Sequence, residues 1–355
     1  MCVIICLIAL FFLSCEPLVT QFEELDEAVY YQAAEITTPP DRTLSLTVVT
    51  WNIRFGAGRI DWYIDSCGDR VLLTEKEVVK NLETIAREMG EMRADILLLQ
   101  EVDRNSKRSA YIDQIQWLLD HTELNYGVYA PILKSQFIPS DGLGRMDQGN
   151  VILSRWEISD AERIQMALRG DQSALTQYFW ARRNIIRCKI KVPGNDNFWA
   201  VNVHTAAFST DDTKEKHVKL FKSELDELDG IGATFVGGGD FNTIPPGSEK
   251  TEYCDEDRCP GEALDQCGDG LDYTMEQDWL ASLYGDYTPA VALEDYLMDN
   301  SSYFTHNRSG TDWWDRKLDY LFTNGSWANT TGATHQDMFN LSDHAPVSAE
   351  LLLTQ

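Results

Sequence analysis

The chain has 355 residues, 43% of them hydrophobic and 25% charged, a composition that supplies a large core and excludes a disordered polymer. It carries 57 acidic and 30 basic residues, a formal net charge of -27, whereas proteins that hold nucleic acid through many phosphates usually carry basic surfaces. The mean charge therefore disfavours tight binding of polyanions, although it does not exclude a local basic groove. Solubility or a saline habitat would explain the same charge.

The first residues predict a segment separate from the folded domain. The apolar run 3–13 is shorter than the roughly 20 residues needed to span a bilayer, but it has the length of a signal-peptide core. Ser14 before Cys15 is similar to the lipid-attachment site of bacterial lipoproteins. We therefore predict a signal peptide over 1–14, export from the cytoplasm, and a lipidated Cys15 that attaches the protein to a membrane. The absence of Lys or Arg before the run, and Phe12 in place of Leu, count against this prediction.

We predict an acidic tether over residues 15–43, which carry the pair Pro39-Pro40, and one folded domain over residues 44–355. From residue 44 onward, short apolar runs alternate with helical patterns. A helix is predicted from Thr74, as the N-cap of a capping box with Glu77, to a stop at Gly90, and a second helix over 212–228. Predicted strands cover 44–50, 96–99, 151–153, 198–203, 234–236, 318–322 and 345–352.

Five cysteines remain after the predicted signal and lipid site: Cys67, Cys188, Cys254, Cys259 and Cys267. The odd number predicts at least one unpaired thiol. The last three lie in an acidic segment at about 247–287, where we expect a local disulfide in an oxidising compartment. A zinc site is disfavoured, since the spacing is not a paired C-x-x-C and no His is interleaved. This segment is either a lid near the cleft or a solvated, disulfide-held loop, and we favour the loop.

Nearly every predicted strand ends in a polar residue, which is how layered α/β folds assemble an active site from distant parts of the chain. Asn52 follows the first strand, Glu101 follows 96–99, and Asp343 precedes the last strand. Mg²⁺ prefers carboxylate and amide oxygens and would neutralise the phosphoryl oxygens during hydrolysis of a phosphate ester. Taken singly, each residue is more often a cap or turn residue, so the prediction of a metal site depends on the set.

The glycine run 237–239 leads directly to Asp240 and Asn242. Glycine lets the backbone approach a ligand closely, and the two polar residues are two positions apart. Asp240 can hold or polarise an attacking water, and Asn242 can donate to a phosphate oxygen. The alternative is a glycine-rich turn closed by an Asx cap.

The run Ser342-Asp343-His344 is the most informative, because an imidazole beside a carboxylate suits acid–base chemistry near neutral pH. Asp319 can fix the tautomer of His344. A second imidazole, His204, can donate a proton to the leaving oxygen or stabilise the phosphate, or it is simply a satisfied strand-end histidine. The other four histidines have no comparable setting and are predicted to be surface or packing residues: His121, His217, His306 and His335.

Together these motifs resemble the endonuclease/exonuclease/phosphatase superfamily, which includes pancreatic-type deoxyribonucleases, abasic-site endonucleases, neutral sphingomyelinases and inositol-polyphosphate 5-phosphatases. The resemblance covers about residues 44–354 with all motifs in order. It implies a four-layer α/β sandwich, two packed mixed β-sheets flanked by helices, with a Mg²⁺-dependent cleft at one end. The motifs are Trp51-Asn52-Ile53, Leu99-Gln100-Glu101-Val102, Asn150-Val151-Ile152-Leu153-Ser154-Arg155, Val201-Asn202-Val203-His204, Gly239-Asp240-Phe241-Asn242, Leu318-Asp319-Tyr320 and Ser342-Asp343-His344-Ala345-Pro346.

The resemblance assigns roles to individual positions. Those similar to the metal-site residues are Asn52, Glu101 and Asp343, and those similar to catalytic residues are His204, Asp240, Asn242, Asp319 and His344. It implies a divalent-metal-dependent hydrolase of phosphate esters, of the phosphodiesterase or endonuclease type, with Mg²⁺ or alternatively Mn²⁺ or Ca²⁺. A sphingomyelinase-like or small-molecule phosphoesterase is the alternative. A catalytically inactive binding module is disfavoured because no motif residue is lost. The substrate stays open among nucleic acid, a phospholipid head group and a small phosphorylated compound, and no protein partner can be inferred.

Overall fold

A computed structural model describes residues 18–64, 66–259, 271–308, 313–328 and 332–353. The predicted signal peptide, Cys15 and Cys267 lie outside these residues. Across the described ranges, no helix combines the length and the apolar character that crossing a membrane requires.

The helices and strands alternate along the chain as the apolar patterns predict. The α-helices of the described ranges are α1 (Glu75–Glu91), α2 (Gln114–Asp120), α3 (Ala174–Phe179), α4 (Thr213–Gly230), α5 (Cys254–Asp257), α6 (Ala281–Asp286) and α7 (Leu293–Met298). The strands are β1 (Leu25–Glu27), β2 (Val29–Gln32), β3 (Ser45–Asn52), β4 (Ile96–Asp103), β5 (Tyr126–Ile138), β6 (Gly144–Ser154), β7 (Ile158–Gln165), β8 (Asn184–Val192), β9 (Asn195–His204), β10 (Thr234–Asp240), β11 (Thr288–Pro289), β12 (Asp319–Thr323), β13 (Ser326–Trp327), β14 (Ala333–Thr334) and β15 (Val347–Leu352).

These strands form two mixed sheets in the described part of the chain. One has the order β1-β7-β8-β9-β10-β12-β11, and the other has the order β13-β15-β3-β4-β6-β5-β2, with β14 paired to β15. The sheets face each other across an apolar core to which both contribute, for example through Val48 and Ile186. Helices α1 and α2 cover the outer face of the second sheet, and α4 covers that of the first. This is the predicted four-layer α/β sandwich.

Helix α1 shows how the sequence specifies an element. Thr74 caps its first turn by accepting from the backbone N–H of Glu77, whose side chain accepts from the backbone N–H of Thr74, as predicted. Its apolar residues recur on one face and are buried, among them Leu82 and Ile85. The predicted stop at Gly90 is wrong by one residue, because the helix continues to Glu91.

Part of the predicted tether is folded. Strand β1 pairs with β7 and β2 pairs with β5, so both strands extend the edges of the sheets. Val19, Ala28 and Ala33 are buried while the acidic side chains between them stay near solvent. The prediction of a solvated tether over 15–43 is therefore wrong for these stretches, because small apolar residues spaced among the acidic ones cover the sheet edges.

One disulfide spans a longer distance in sequence than the predicted local one. Cys259 of the acidic segment is joined to Cys67, which lies 192 positions away in sequence, rather than to a neighbour within the segment. Cys254 is also disulfide-bonded, and Cys188 is a buried free thiol, as the odd number predicts. The expectation of a local disulfide is wrong for Cys259, since sequence spacing carries no information about which distant loop folds against it.

The acidic segment is also more deeply packed than a solvated loop. Tyr253, Tyr273 and Leu280 are buried, and Glu276 forms a buried ion pair with Lys214 of α4. The expectation of a solvated loop is wrong here, because aromatic residues scattered among the acidic ones provide an apolar underside. The segment thereby reaches the end of the sheets at which the predicted site residues gather.

The topology explains why those residues meet. Strands β3 and β4 are parallel neighbours in one sheet, and β9 and β10 are parallel neighbours in the other. The contact of Asn52 with Asp240 puts the ends of both pairs at the same end of the sandwich. Strands β12 and β15 run antiparallel to β10 and β3, so they begin at that end. Asp240 is the register partner of both His204 and Asp319. Residues from six strands are therefore brought to one end of the sandwich.

Candidate active site

Asp240 is carried to the site by the glycine run at the end of β10. The glycines continue the strand rather than form the alternative turn. At Gly239, whose φ is +142°, an added Cβ would stand 1.9 Å from the carbonyl oxygen of Val203 on the neighbouring strand. Only glycine therefore lets the strands approach this closely and still deliver Asp240 at their end.

Four side chains surround this carboxylate or contact one of its neighbours. Together with Asp240 we call them the Asp240 group: Asn52, His204, Asp240, Asp319 and His344. Asp240 Oδ2 lies 3.1 Å from Asn52 Nδ2, 3.2 Å from His204 Nε2 and 3.6 Å from His344 Nε2. Its other oxygen accepts from the backbone N–H of Asn242 at 2.9 Å. Burial raises the pKa of Asp240 to about 6, which makes it a stronger proton acceptor than an exposed aspartate. The contact with Asn52 joins the two sheets.

His344 is held in one orientation. Its Nδ1 lies 2.8 Å from Asp319 Oδ2, and its backbone N–H donates to Ser342 Oγ at 3.2 Å. This is the tautomer-fixing contact that the sequence predicts. Burial alone would lower the pKa of His344, but the carboxylates of Asp319 and Asp240 raise it to about 10. The imidazole is therefore a protonated donor near neutral pH.

His204 is neutral, whereas His344 is protonated. Burial, reinforced by the Arg183 guanidinium, lowers the pKa of His204 well below its ordinary value. The neutral ring donates from Nε2 to Asp240, whereas its Nδ1 is buried and has no hydrogen-bond partner among the described residues. The alternative of a satisfied strand-end histidine is therefore wrong, since one ring nitrogen is left for a ligand or a water.

Of the predicted metal residues, Asn52 belongs to the Asp240 group, and Asp343 and Glu101 adjoin its members in the chain or in the sheet. Asn52 bonds to Asp240. Asp343 lies 3.3 Å from Arg54 Nε, and this guanidinium lowers the pKa of Asp343 against the effect of burial. Glu101 follows the register partner of Asn52 on β4, at a bulge where its φ is +55°, a left-handed conformation rare for this residue type.

The donor set suits a hard divalent cation. Oxygen donors from Asp240 and Asp319 lie within 4.8 Å of one another and of a His344 ring nitrogen. Asp319 Oδ1 is buried without a hydrogen-bond partner in the described ranges, a costly arrangement unless another group supplies the missing interaction. The amide of Asn52 and the carboxylates of Glu101 and Asp343 add further oxygens, the ligand type preferred by Mg²⁺.

Two residues that sequence analysis missed also belong to the site. His306 Nδ1 lies 3.2 Å from His344 Nε2, so the prediction that His306 is only a surface or packing residue is wrong. His306 does not end a predicted strand, so the pattern of polar residues at strand ends did not indicate it. Arg183 lies just before β8 and is close enough for the charges of Glu101 and Asp240 to act on its guanidinium. The pair Arg182-Arg183 before an apolar run was the sequence feature that could have indicated it.

The three remaining histidines are packing or surface residues, as predicted. His217 Nδ1 accepts from the backbone N–H of Ala206, and its Nε2 donates to the carbonyl oxygen of Ala167, so it is a packing residue. His121 stacks on Trp117 at the end of α2, and His335 bonds to Ser348. Asn242 has a φ of +47°, its backbone N–H donates to Asp240, and its side-chain amide donates to the Thr205 carbonyl oxygen at 3.4 Å.

Comparisons with known proteins agree with this geometry. The chain matches the sequence profile of the Endonuclease/Exonuclease/phosphatase family over residues 49–344. Because this match spans most of its length, the chain belongs to that family, whose membership supports a phosphoesterase-type hydrolase. A comparison with curated proteins found no match.

Solved structures with similar folds come from several bacteria. An endonuclease/exonuclease/phosphatase from Beutenbergia cavernae shares 18% identity at a TM-score of 0.56, covering 88% of this chain and 72% of its own. One from Bacteroides vulgatus shares 16% identity at a TM-score of 0.51, covering 88% and 100% of the two chains. A family protein from Leptotrichia buccalis shares 16% identity at a TM-score of 0.53, covering 87% and 100%. At these identities the likeness shows the fold.

Proposed function

We propose that the protein is a divalent-metal-dependent phosphodiesterase, of the endonuclease type, that acts outside the cytoplasm. The observation that carries the proposal is the Asp240 group: two buried carboxylates, one protonated and one neutral imidazole, and an amide meet at the end of both sheets. Family membership supports the reaction class. The metal, the substrate and the location are the proposed parts.

The residues divide the chemistry of hydrolysis between them. Asp240, with its pKa raised to about 6, is suited to hold the attacking water and take its proton. His344 is protonated and held by Asp319, so it is suited to donate to a phosphoryl oxygen or to the leaving oxygen. The raised pKa of His344 thus favours it as a donor rather than as the base, which narrows the acid–base role predicted from the sequence.

The neighbouring residues complete the site. Asn242 can donate to a phosphoryl oxygen, and the guanidinium of Arg183 adds positive charge beside Asp240. The residues that would hold the cation are Asn52, Glu101 and Asp343, by resemblance to the family pattern. A divalent cation, when bound, supplies charge neutralisation at the phosphoryl oxygens and a lower pKa for a bound water.

A second candidate is hydrolysis of a small phosphoester or a phospholipid head group by the same site. The net charge of -27 favours it, because a long polyanion would be repelled by the mean field of the protein whereas a small or zwitterionic substrate would not. The acidic segment packed near the site adds to this charge.

The proposed location rests on two observations. The apolar run 3–13 has the length of a signal-peptide core. The disulfide between Cys67 and Cys259 is of the kind that persists in oxidising compartments. Membrane fractionation of the full chain and of Cys15→Ala tests the lipid anchor, and identical partitioning of the two would rule the anchor out.

The substrate proposal is tested with a panel of plasmid DNA, RNA, sphingomyelin and bis-p-nitrophenyl phosphate, each with added Mg²⁺. We expect hydrolysis of a phosphodiester by the wild type and its loss in Asp240→Ala. His121→Asn, remote from the site, is the matched control and should keep the wild-type rate. Cleavage of sphingomyelin without cleavage of DNA would favour the second candidate, and inactivity on the whole panel would contradict both.

A further inference from the structure

One buried lysine, Lys214 of α4, connects the acidic segment to the site. Its side chain is wholly buried and contacts two residues of that segment: it forms an ion pair with Glu276, and its Nζ lies 4.7 Å from the centre of the Tyr273 ring. The same Nζ lies 2.9 Å from the backbone carbonyl oxygen of Asn242. A carbonyl oxygen can only accept, so Lys214 is the donor. The acidic segment is thereby linked to the residue two positions after Asp240.

Asn242 depends on its surroundings because its backbone is left-handed. A φ of +47° is uncommon outside glycine, although asparagine adopts it more readily than most residues. Two peptide planes meet at the Cα of Asn242, and its side-chain amide keeps one direction only if neither plane turns. The groups that hold the two planes therefore decide where this amide points.

The two planes are held by different parts of the molecule. In the plane before Asn242, the Phe241 carbonyl accepts from Thr205 Oγ1, and the Asn242 N–H donates to Asp240 Oδ1 at 2.9 Å. In the plane after Asn242, the carbonyl accepts from Lys214. Thr205 directly follows β9, whereas Lys214 is paired with a carboxylate of the acidic segment. The conformation of Asn242 is thus tied to that segment.

Resting on the proposed function, we propose that Lys214 is a positioning residue. Held by Glu276, it fixes the peptide plane after Asn242 and thereby the direction of the amide that donates to a phosphoryl oxygen. Without this bond, the backbone is free to leave the left-handed region, which turns the amide away from substrate and loosens the N–H contact with Asp240. The acidic segment then acts as a support behind the site that keeps Lys214 in place.

A double substitution tests this role without leaving a buried charge unpaired. Lys214→Met alone would leave Glu276 buried without its cation, so it is combined with Glu276→Met, which replaces the pair by two apolar side chains of similar length. We expect this double variant to lower kcat, counted per folded molecule, by about 10²-fold with a smaller change in KM, as for a small misplacement of a reacting group. The proposal is overturned if the double variant keeps the wild-type kcat.

Two further variants separate positioning from a general effect on the segment. Glu276→Gln keeps an oxygen that accepts from Lys214, so it should retain most of the wild-type kcat. Lys222→Met is the matched control, because Lys222 also joins α4 to the acidic segment, through Asp286 at 2.9 Å, but does not hold Asn242. It should keep the wild-type kcat. A kcat as low as that of the double variant in either protein would overturn the proposal.

A measurement without turnover distinguishes this proposal from the proposed function. Hydrogen exchange of the Asn242 backbone N–H, followed by NMR, should be at least about tenfold faster in the double variant than in the wild type, Glu276→Gln and Lys222→Met. This pattern in a protein that hydrolyses no phosphodiester would uphold the support of Asn242 and contradict the proposed function. Equal exchange in all four proteins would overturn the positioning role of Lys214.

Discussion

The Asp240 group and a second buried cluster, the Arg316 network, differ in how completely their atoms are paired. The network consists of Arg316, Asp257 and Asp315. The guanidinium bonds to both oxygens of Asp257 at 2.8 and 2.7 Å and to both of Asp315 at 2.6 and 3.1 Å. In the Asp240 group, by contrast, Asp319 Oδ1 and His204 Nδ1 are buried without a partner in the described ranges.

This difference separates a structural network from a functional one. Each buried polar atom left unpaired costs about 1–3 kcal/mol, so the two unpaired atoms of the Asp240 group are places where a ligand or a water would supply the missing interaction. The Arg316 network has no such deficit and joins the acidic segment, through Asp257, to the stretch just before β12. We therefore expect substitutions in the Asp240 group to change activity, and those in the Arg316 network to change stability.

The largest expected effect is on turnover. Because His344 donates to the reacting phosphate and Asp319 holds it, His344→Ala should lower kcat by about 10³-fold and Asp319→Asn by a similar factor. For Asp319→Asn, the midpoint of urea unfolding should fall less than for Arg316→Met, since asparagine keeps the shape of the side chain and an oxygen that accepts from His344 Nδ1. Steady-state kinetics and urea titration on the same preparations measure both quantities. A large fall in stability with unchanged kcat would reverse the comparison.

The Arg316 network should show the opposite pattern. Arg316→Met leaves the carboxylates of Asp257 and Asp315 buried without their cation, and we expect a loss of about 3–5 kcal/mol of unfolding free energy. Urea titration measures this loss. The kcat per folded molecule should stay within about twofold, because Arg316 touches no reacting group. The comparison fails if Arg316→Met keeps wild-type stability or if kcat falls as it does for His344→Ala.

His217 is predicted to link stability to pH. Burial lowers its pKa to about 4 in the folded protein, from an ordinary value near 6.5, so the unfolded chain binds the proton more tightly. The contribution of neutral His217 to the free energy of unfolding is present above about pH 6.5 and is lost as the pH falls towards 4, a change on the order of 3 kcal/mol. Unfolding midpoints of the wild type and His217→Gln at pH 7.5 and 5 measure it. An equal change of the unfolding midpoint between the two pH values in both proteins would contradict the prediction.

The smallest effect is expected outside both clusters. Thr74→Ala removes the side-chain cap of α1 and should cost about 1 kcal/mol with no change in kcat. The measurement is a urea titration beside the wild type, with Thr74→Ser as the control because serine keeps the hydroxyl. A cost as large as that of Arg316→Met would show that stability is not concentrated in the buried network.

Much of the fold was predictable because its signals are local. The capping box at Thr74 and the wholly apolar run of β4 specify their elements without help from distant residues. Strands β5, β7 and β8 were not predicted, since polar residues interrupt their apolar positions and the partners that cover them lie elsewhere in the chain. The pairing of Cys67 with Cys259 is likewise a property of loops meeting in space.

The site was predictable where polar residues lie at either end of a predicted strand, and not elsewhere. Asn52, His204 and Asp240 follow apolar runs, and the parallel register of β3 with β4 and of β9 with β10 brings such ends together. His306 lies in a short irregular stretch that is placed by backbone pairing with residues 343–345. No periodicity marks it, so only the tertiary structure shows its contact with His344.

The most direct test of the account is the metal dependence of the Asp240 reaction. Hydrolysis of bis-p-nitrophenyl phosphate is measured for the wild type and Asp240→Asn after treatment with EDTA and again after addition of Mg²⁺. The account predicts that EDTA abolishes the wild-type rate, that Mg²⁺ restores it, and that Asp240→Asn stays at least about 10²-fold slower throughout. A wild-type rate unchanged by EDTA, or an Asp240→Asn rate equal to that of the wild type, would contradict it.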